Sequence, residues 1–385
     1  MNKMTPRAPV AVTVATADAA VGRAVRQQVV LVLQGGGALG AYQAGVYQAL
    51  MEGGIEPDWV IGTSIGAING ALIAGNEPKN RISKLREFWD GATKADPFGL
   101  MTWASAFGNT LTNLDTVMNG IPGFFQANPY ALWASKFPVG IERASYYTTD
   151  ALKETLGRLV DFDCINSKHT RLTVGAVNVR TSEMRYFDSR DMQLGPAHVM
   201  ASGALPPAFP AAMIDGEPYW DGGIYSNTPM EVVLDDNPRR DSLIFSMNLW
   251  QPSGPDPQTI EDVTARQKDI QYASRGKSHV ARQEQLHRLR HVIRELTREI
   301  PTEKRDVPRL KELASYGCGT TMHLVRLLSP SLAGEDHTKD IDFTRAGIAT
   351  RWQAGHDHAH RVLAEKPWEC RVETLQGVLV HESNE

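Results

Sequence analysis

A serine hydroxyl attacks a carbonyl only when it stands clear of the main chain, meets a base, and faces donors that hold the oxyanion. Three stretches of this 385-residue chain have the residue types for those parts. The first is Gly62-Thr63-Ser64-Ile65-Gly66, a G-x-S-x-G pattern. Ser64 at its centre can sit on a sharp strand-to-helix turn, where glycines two residues to either side remove the clash that such a turn creates. The second is Gly35-Gly36-Gly37, where successive small residues let backbone N–H groups aim at one point. The third is Asp221-Gly222-Gly223, which follows Tyr219 and Trp220. A carboxylate in dry surroundings gains basicity and can take a serine's proton.

Each stretch admits another reading. Gly35, Gly37 and Gly40 also fit the dinucleotide fingerprint G-x-G-x-x-G. That fingerprint wants an acidic residue at the C-terminal end of the second strand, where this chain has Thr63 and Ser64; Asp58 stands at the other end. Asp221-Gly222 is also the sequence of an ordinary hairpin turn. A serine's usual base is a histidine held by an acid, and the chain has 11 histidines, none in a turn-rich context after a late strand.

The elements that must position these groups follow from apolar runs and their punctuation. Residues 29–33 read as a buried strand running into the glycine turn and then a helix over 39–51. Residues 59–61 read as a second strand running into the serine turn and a helix of small residues. A charged amphipathic helix is expected over 78–90, and strands over 170–177, 184–188, 213–219 and 242–248. The last strand is expected at 322–328, with a covering helix over 343–364. The fold expected is α/β: a three-layer α/β/α arrangement with a mostly parallel central sheet and a helical C-terminal insertion. The expected divisions are a disordered tail (1–28), a catalytic α/β domain (29–250), a charged helical insertion (251–320), and a strand and helix that complete the domain (321–385).

Two stretches stay open at this level. Residues 97–133 hold Phe98, Met101, Trp103, Phe107, Met118, Phe124, Phe125, Tyr130 and Trp133, which suits either a lid or acyl-chain wall, or an insertion with its aromatics packed inward. Residues 260–316 read as helix, with Leu286, Leu289, Ile293, Leu296 and Ile300 in one apolar stripe and a basic excess elsewhere. Such a helix either lies solvated over the core or rests on an anionic bilayer. The interruption at Pro301 and Pro308 suggests two helices rather than one rod.

Taken in order and spacing, Gly35-Gly36-Gly37-Ala38-Leu39-Gly40, Gly62-Thr63-Ser64-Ile65-Gly66 and Asp221-Gly222-Gly223 resemble the patatin-like phospholipase family. The segment Ala201-Ser202-Gly203-Ala204-Leu205-Pro206-Pro207-Ala208-Phe209-Pro210 is similar to the family's segment before the aspartate, and Asn227-Thr228-Pro229 to the Asn-x-Pro after it. The resemblance implies a patatin-like fold and an acyl hydrolase with a Ser–Asp dyad and no catalytic histidine. Ser64 would be the nucleophile, Asp221 the base, and the amides of Gly35, Gly36 and Gly37 the oxyanion hole. Gly62, Gly66, Gly222, Gly223 and Asn227 would support them. One position departs: many members carry Arg or Lys two residues after the third glycine, and this chain has Leu39. The activity implied is hydrolysis of lipid acyl esters, of phospholipase A, lysophospholipase or lipase type. The alternatives are an esterase for other acyl esters, storage polyesters included, and a catalytically weak or regulatory lipid-binding protein on the same scaffold. No cofactor and no metal is required.

Composition sets further bounds. A net charge of −4 argues against a nucleic-acid partner. Cys164, Cys318 and Cys370 are too few and too scattered for a disulfide framework, which suits a reducing, cytoplasmic setting. No apolar run is long enough to span a bilayer, so any membrane contact is expected to be peripheral. Residues 10–21 behind Lys3 and Arg7 faintly suggest a signal peptide, but Thr13, Thr16 and Asp18 interrupt them. His337 and Asp342 have the H-x4-D spacing of glycerolipid acyltransferases, a spacing that chance supplies easily. His356 and His360 share a helix face, but the sequence shows no third metal ligand, and exposed helical histidines are the commoner case. The oligomeric state is left open.

Overall fold

Strands whose two faces are both covered need no polar residues, and six-residue runs such as Gln28–Leu33 meet that condition. In the computed structural model, which describes residues 27–93, 120–121, 123–134, 136–332 and 335–383, nine strands form one sheet. They are β1 (Gln28–Leu33), β2 (Trp59–Thr63), β3 (Arg171–Asn178), β4 (Met184–Asp188), β5 (Ala212–Ile214), β6 (Glu217–Asp221), β7 (Ser242–Asn248), β8 (Met322–Leu328) and β9 (Val378–Glu382). Their order is β9-β8-β7-β1-β2-β3-β6-β5, with β4 also paired to β3. The run from β9 to β3 is parallel throughout, and the pairings of β4, β5 and β6 are antiparallel. The fold is therefore α/β with a mostly parallel central sheet. Nearly all of the tail expected over 1–28, and Phe98, Met101, Trp103, Phe107 and Met118, lie outside the described residues.

The period of two along β1 divides the core. Val29, Leu31 and Leu33 enter one apolar cluster, and Val30 and Val32 the other. The first cluster is closed by α1 (Ala41–Glu52), α2 (Ile65–Ala74), α3 (Pro78–Ala92), α4 (Asp150–Leu159), α5 (Pro196–Ser202) and the C-terminal helix, Arg345–Glu365. The second is closed by α6 (Met230–Leu234) and by Val280 of α7 (Ile260–Glu299). The C-terminal helix, α8, crosses α1 backbone to backbone: a Cβ on Gly45 would stand 1.8 Å from the Trp352 carbonyl oxygen, and one on Gly355 would stand 2.1 Å from that of Tyr42.

Three expectations are corrected. Residues 213–219 are not one strand but the hairpin β5–β6, turned at Asp215 (φ 52°) and Gly216 (φ 79°). The Asp-Gly hairpin signal belongs there, six residues before Asp221. Strand β8 is not the last, because β9 pairs outside it in parallel; its short, partly polar sequence carries the weak signal of an edge strand. The apolar stripe on α7 is not its buried side. Leu289 and Leu296 are 59% and 63% exposed, while Gln283, His287 and His291 are buried. That face lies over backbone carbonyls, so donors rather than hydrocarbon are wanted: His287 Nε2 meets the carbonyl of Leu234 at the end of α6 at 3.0 Å, and His291 Nε2 that of Thr320 at 2.9 Å. The break at Pro301 is as expected, but the segment forms three helices rather than two, with short ones over Thr302–Arg305 and Pro308–Ala314 beyond α7.

Candidate active site

Strand β2 and helix α2 meet at Ser64, whose φ of 57° and ψ of −125° lie in a region a side chain seldom adopts. Such strain persists only where the surroundings enforce it. Here they do. A Cβ on Gly62 would stand 2.3 Å from the Gly66 carbonyl oxygen, and one on Gly66 would stand 2.3 Å from that of Leu33, so both turns close only on glycine. The Ser64 amide donates to the Ser202 carbonyl (3.1 Å) and to Ser202 Oγ (3.0 Å), and that hydroxyl donates to the Gly175 carbonyl at 2.6 Å. Ser202 thus ties the elbow to strand β3, a role the sequence showed only as part of a resembling segment.

The glycine turn lies beside the elbow. Gly37 has φ 54°, and a Cβ there would stand 2.2 Å from the Asp340 carbonyl oxygen, which also accepts from the Ala38 amide at 2.9 Å. Gly35 is the anchor of the turn. Its amide donates to the Asn227 carbonyl at 3.3 Å, and its carbonyl accepts from Asn227 Nδ2 (3.1 Å) and Trp250 Nε1 (2.7 Å). The Gly35 amide is therefore already engaged, whereas the amides of Gly36 and Gly37 have no acceptor among the described residues. Ile65 opens α2, and its amide is another without an intrahelical acceptor. Neither Trp250 nor Ile65 was among the site residues read from the sequence; the rule that the residue after the nucleophile offers its amide is the signal that points to Ile65.

Asp221 ends β6 and is 2% exposed. Ser64 lines the same cavity as Asp221, and its side chain pulls the Asp221 carboxyl down, as does the Gly223 amide, which donates to Oδ1 at 2.7 Å. Burial outweighs both and pushes the Asp221 carboxyl up to about 7. Gly222 lets the chain pass strand β3: a Cβ there would stand 2.4 Å from the Gly175 carbonyl oxygen. The structure thus brings Gly35, Gly36, Gly37, Ser64, Asp221, Gly223 and Asn227 to one cavity of about 180 Å³. No histidine lines that cavity among the described residues. Asp342 of the H-x4-D pair is spent on Arg351, with Nη2 3.2 Å from Oδ2.

Most of the remaining wall is apolar. Phe125 packs edge-on to Phe209 (5.1 Å between centroids), Tyr147 (4.9 Å) and Phe124 (5.4 Å), and Phe343 and Ile68 complete the wall. Of the aromatic stretch read from the sequence, Phe124 and Phe125 take this inward position, whereas Tyr130 and Trp133 are 62% and 63% exposed. Leu39 is buried in the apolar core, so no cation stands there. Two lysines nearby in the fold are paired to aspartates. Lys268 Nζ bonds Asp340 Oδ1 at 2.7 Å, and Lys339 Nζ bonds Asp269 Oδ1 at 2.9 Å and lies 5.5 Å from the centroid of the Trp250 ring.

A family model described as patatin-like phospholipase matches residues 31–234, more than half of the chain. The chain belongs to the patatin-like phospholipase family. A second model, described as patatin phospholipase, matches residues 270–375. Among curated relatives, lysophospholipase nte1 of Aspergillus terreus is 64% identical over 44 residues, which is 11% of this chain and 3% of that protein. Patatin-like phospholipase domain-containing protein 7 of Mus musculus is 27% identical over 214 residues, 53% of this chain and 12% of that one. The matches thus span only a small part of those relatives' length. Among solved structures, VipD from Legionella pneumophila aligns over 88% of this chain and 67% of its own, at 16% identity and a TM-score of 0.37. No helix of this patatin-like chain is long and apolar enough to cross a membrane, among the described residues.

Proposed function

We propose that the chain hydrolyses lipid acyl esters with Ser64 as nucleophile and Asp221 as its base. The single observation that supports this most is that Ser64, at a strained strand-to-helix turn, and the buried carboxylate of Asp221 line one largely apolar cavity. Ser64 Oγ attacks the ester carbonyl as its proton passes to Asp221, and the amides of Gly36, Gly37 and Ile65 receive the oxyanion. Collapse expels the alcohol, which leaves with the proton from Asp221. Asp221 then takes a proton from water, whose oxygen attacks the acyl-enzyme; the acid departs and the proton returns to Ser64. No metal or cofactor takes part. The phenylalanine wall suits an acyl chain, and the relatives named as phospholipases and lysophospholipases favour a glycerolipid ester. The described lining has no lysine or arginine and holds Asp221 and Asp340, so an anionic headgroup has no counter-charge within it. The ester is therefore read by its acyl chain, with the headgroup outside.

A fluorophosphonate probe tests the reading directly, because only an activated serine is labelled. The expected result is one adduct, on Ser64. Absence of labelling in folded protein would leave a lipid-binding protein as the reading to pursue. A chain-length series of nitrophenyl esters beside intact phospholipids then fixes the substrate class.

Two further outcomes follow from the geometry. Gly37→Ala forces a side chain into positive φ and against the Asp340 carbonyl, moving a donor off target. Turnover should fall by about 10²–10³ while KM changes little, as when one oxyanion donor is lost. Unchanged kcat would remove this turn from the chemistry. The second concerns pH. The base must be ionised, and Asp221 sits at about 7. Below that value kcat/KM should drop about tenfold per pH unit, and above it the profile should be level. A profile flat from pH 5 to pH 8, a range on either side of Asp221's value of about 7, would rule Asp221 out as base.

A further inference from the structure

The histidine pair in the C-terminal half of α8 gains in the structure the partner that the sequence could not show. His356 and His360 stand one turn apart, with ring centroids 4.5 Å from each other. Both point at one carboxylate of the neighbouring helix α1: Glu52 Oε2 lies 2.8 Å from His356 Nε2 and 3.3 Å from His360 Nε2. The three ligand atoms all lie within 4.8 Å of one another. We propose that Glu52, His356 and His360 form a binding site for a divalent transition metal, Zn²⁺ first among them, separate from the Ser64 cavity.

Three features distinguish this cluster from a chance meeting of surface side chains. The first is donor chemistry. Two imidazoles at i and i+4 on one helix face plus one carboxylate make the His₂Glu set that zinc accepts, with a fourth position left to water. The second is the support of the carboxylate. Glu52 Oε1 accepts from Gln48 Nε2 at 2.8 Å, and Gln48 Oε1 in turn accepts from Trp352 Nε1 (2.7 Å) and Arg86 Nη2 (2.9 Å). Oε2 is thereby turned to the histidines. Partners of this kind orient metal ligands and are worth about 10–100-fold in affinity. The third is the scaffold. The Gly45–Trp352 and Gly355–Tyr42 contacts lock α1 and α8 at one spacing, so the ligands from the two helices are held in register. The hydrogen bonds now joining the histidines to Glu52 hold those three atoms together, and a metal would replace the N–H protons that make them.

A metal here would clamp α8 to α1. The glycine turn precedes the other end of α1, about 18 Å away at 1.5 Å per residue over twelve residues. The metal should act on stability rather than on chemistry, by mass action on the folded state.

Metal-stripped full-length protein, titrated with Zn²⁺ by calorimetry and followed by its thermal midpoint, tests the proposal. The expected result is saturable binding with a raised midpoint. Glu52→Gln and His360→Gln should each weaken that binding by at least about tenfold. Both positions are exposed enough for the variants to fold, and their midpoints without metal check this. His323, Cys370 and His381 form a second group of potential ligands, so Cys370→Ser serves as control and should leave the Glu52-dependent binding unchanged. Co²⁺ adds a spectroscopic readout: at a His₂Glu site its spectrum shows no thiolate charge-transfer band. The proposal falls if the wild type binds no Zn²⁺, if binding survives both Glu52→Gln and His360→Gln in folded protein, or if Cys370→Ser alone removes it.

Discussion

Ser64→Ala is expected to abolish ester turnover and to leave the fold intact. The substitution removes only the hydroxyl, while the backbone that fixes the elbow is set by Gly62, Gly66 and the bonds from Ser202, none of which needs that oxygen. Loss of the nucleophile in comparable serine hydrolases lowers kcat on the order of a millionfold, so the residual rate should be that of the protein-free reaction plus whatever the cavity and amides supply. The neighbouring carboxyl adjusts. The Ser64 side chain is one of the two groups that hold the Asp221 carboxyl down, so its removal sends that carboxyl further up, and it stays neutral at pH 7 rather than becoming an unpaired buried charge. The thermal midpoint should therefore move little. Kinetics on a nitrophenyl ester, with the midpoint measured on the same sample, check both parts. Near wild-type turnover in the variant would end the proposed mechanism.

Asp221→Asn is expected to cost nearly as much activity and to add stability. Asparagine keeps the shape, and its Oδ1 still accepts from the Gly223 amide, but it takes no proton from Ser64. Turnover should fall almost as far as in Ser64→Ala, and the double variant should be little worse than either, because the two residues act as a unit. A histidine triad predicts otherwise: one of the 11 histidines, replaced by alanine, would give folded but inactive protein. His198, His323, His337 and His356 are included in that scan, and none is expected to reproduce the loss. The stability gain comes from the same burial that makes the base. Asp221 titrates at about 7 in the folded chain against an ordinary 3.8, so between about pH 4 and pH 7 the native state binds more protons than the unfolded state. Wild-type stability must then fall as pH rises through that window. Asparagine does not ionise, so the variant should be more stable than wild type by a few kcal/mol above pH 7 and no different near pH 4. Denaturant unfolding at the two pH values checks this. A variant less stable at both would mean that the carboxylate is needed for structure rather than for proton transfer.

Much of this was local and therefore legible. A turn's backbone is dictated by the few residues that form it, so Gly62 to Gly66 announced the elbow, and Gly35 to Gly37 the tight loop. Strands also announced themselves by their residue types, and residues 184–188, 242–248 and 322–328 are strands over those same spans. The signals that failed were those in which context outweighs pattern. The stripe on α7 faces solvent because the surface beneath the helix is carbonyl oxygen, which calls for His287 and His291 rather than leucine. Asp-Gly occurs twice near β6, and nothing local says that Asp215-Gly216 turns a hairpin while Asp221-Gly222 ends a strand against Gly175.

The sequence by itself determined that Ser64 and the glycine turn follow parallel strands, since connection chemistry is written within a dozen residues. Only the tertiary structure decided which groups meet there. Asp221, Asn227 and Trp250 reach Ser64 and Gly35 because β6 lies two strands from β2, and β7 lies beside β1, an order no local pattern encodes. The same contacts engage the Gly35 amide and leave those of Gly36 and Gly37 free of acceptors among the described residues. Burial, which lifts Asp221 to about 7, and the approach of Glu52 to His356 across a glycine-lined helix crossing are likewise properties of packing: both depend on which distant atoms exclude water or close a gap, and distance along the chain carries no record of that.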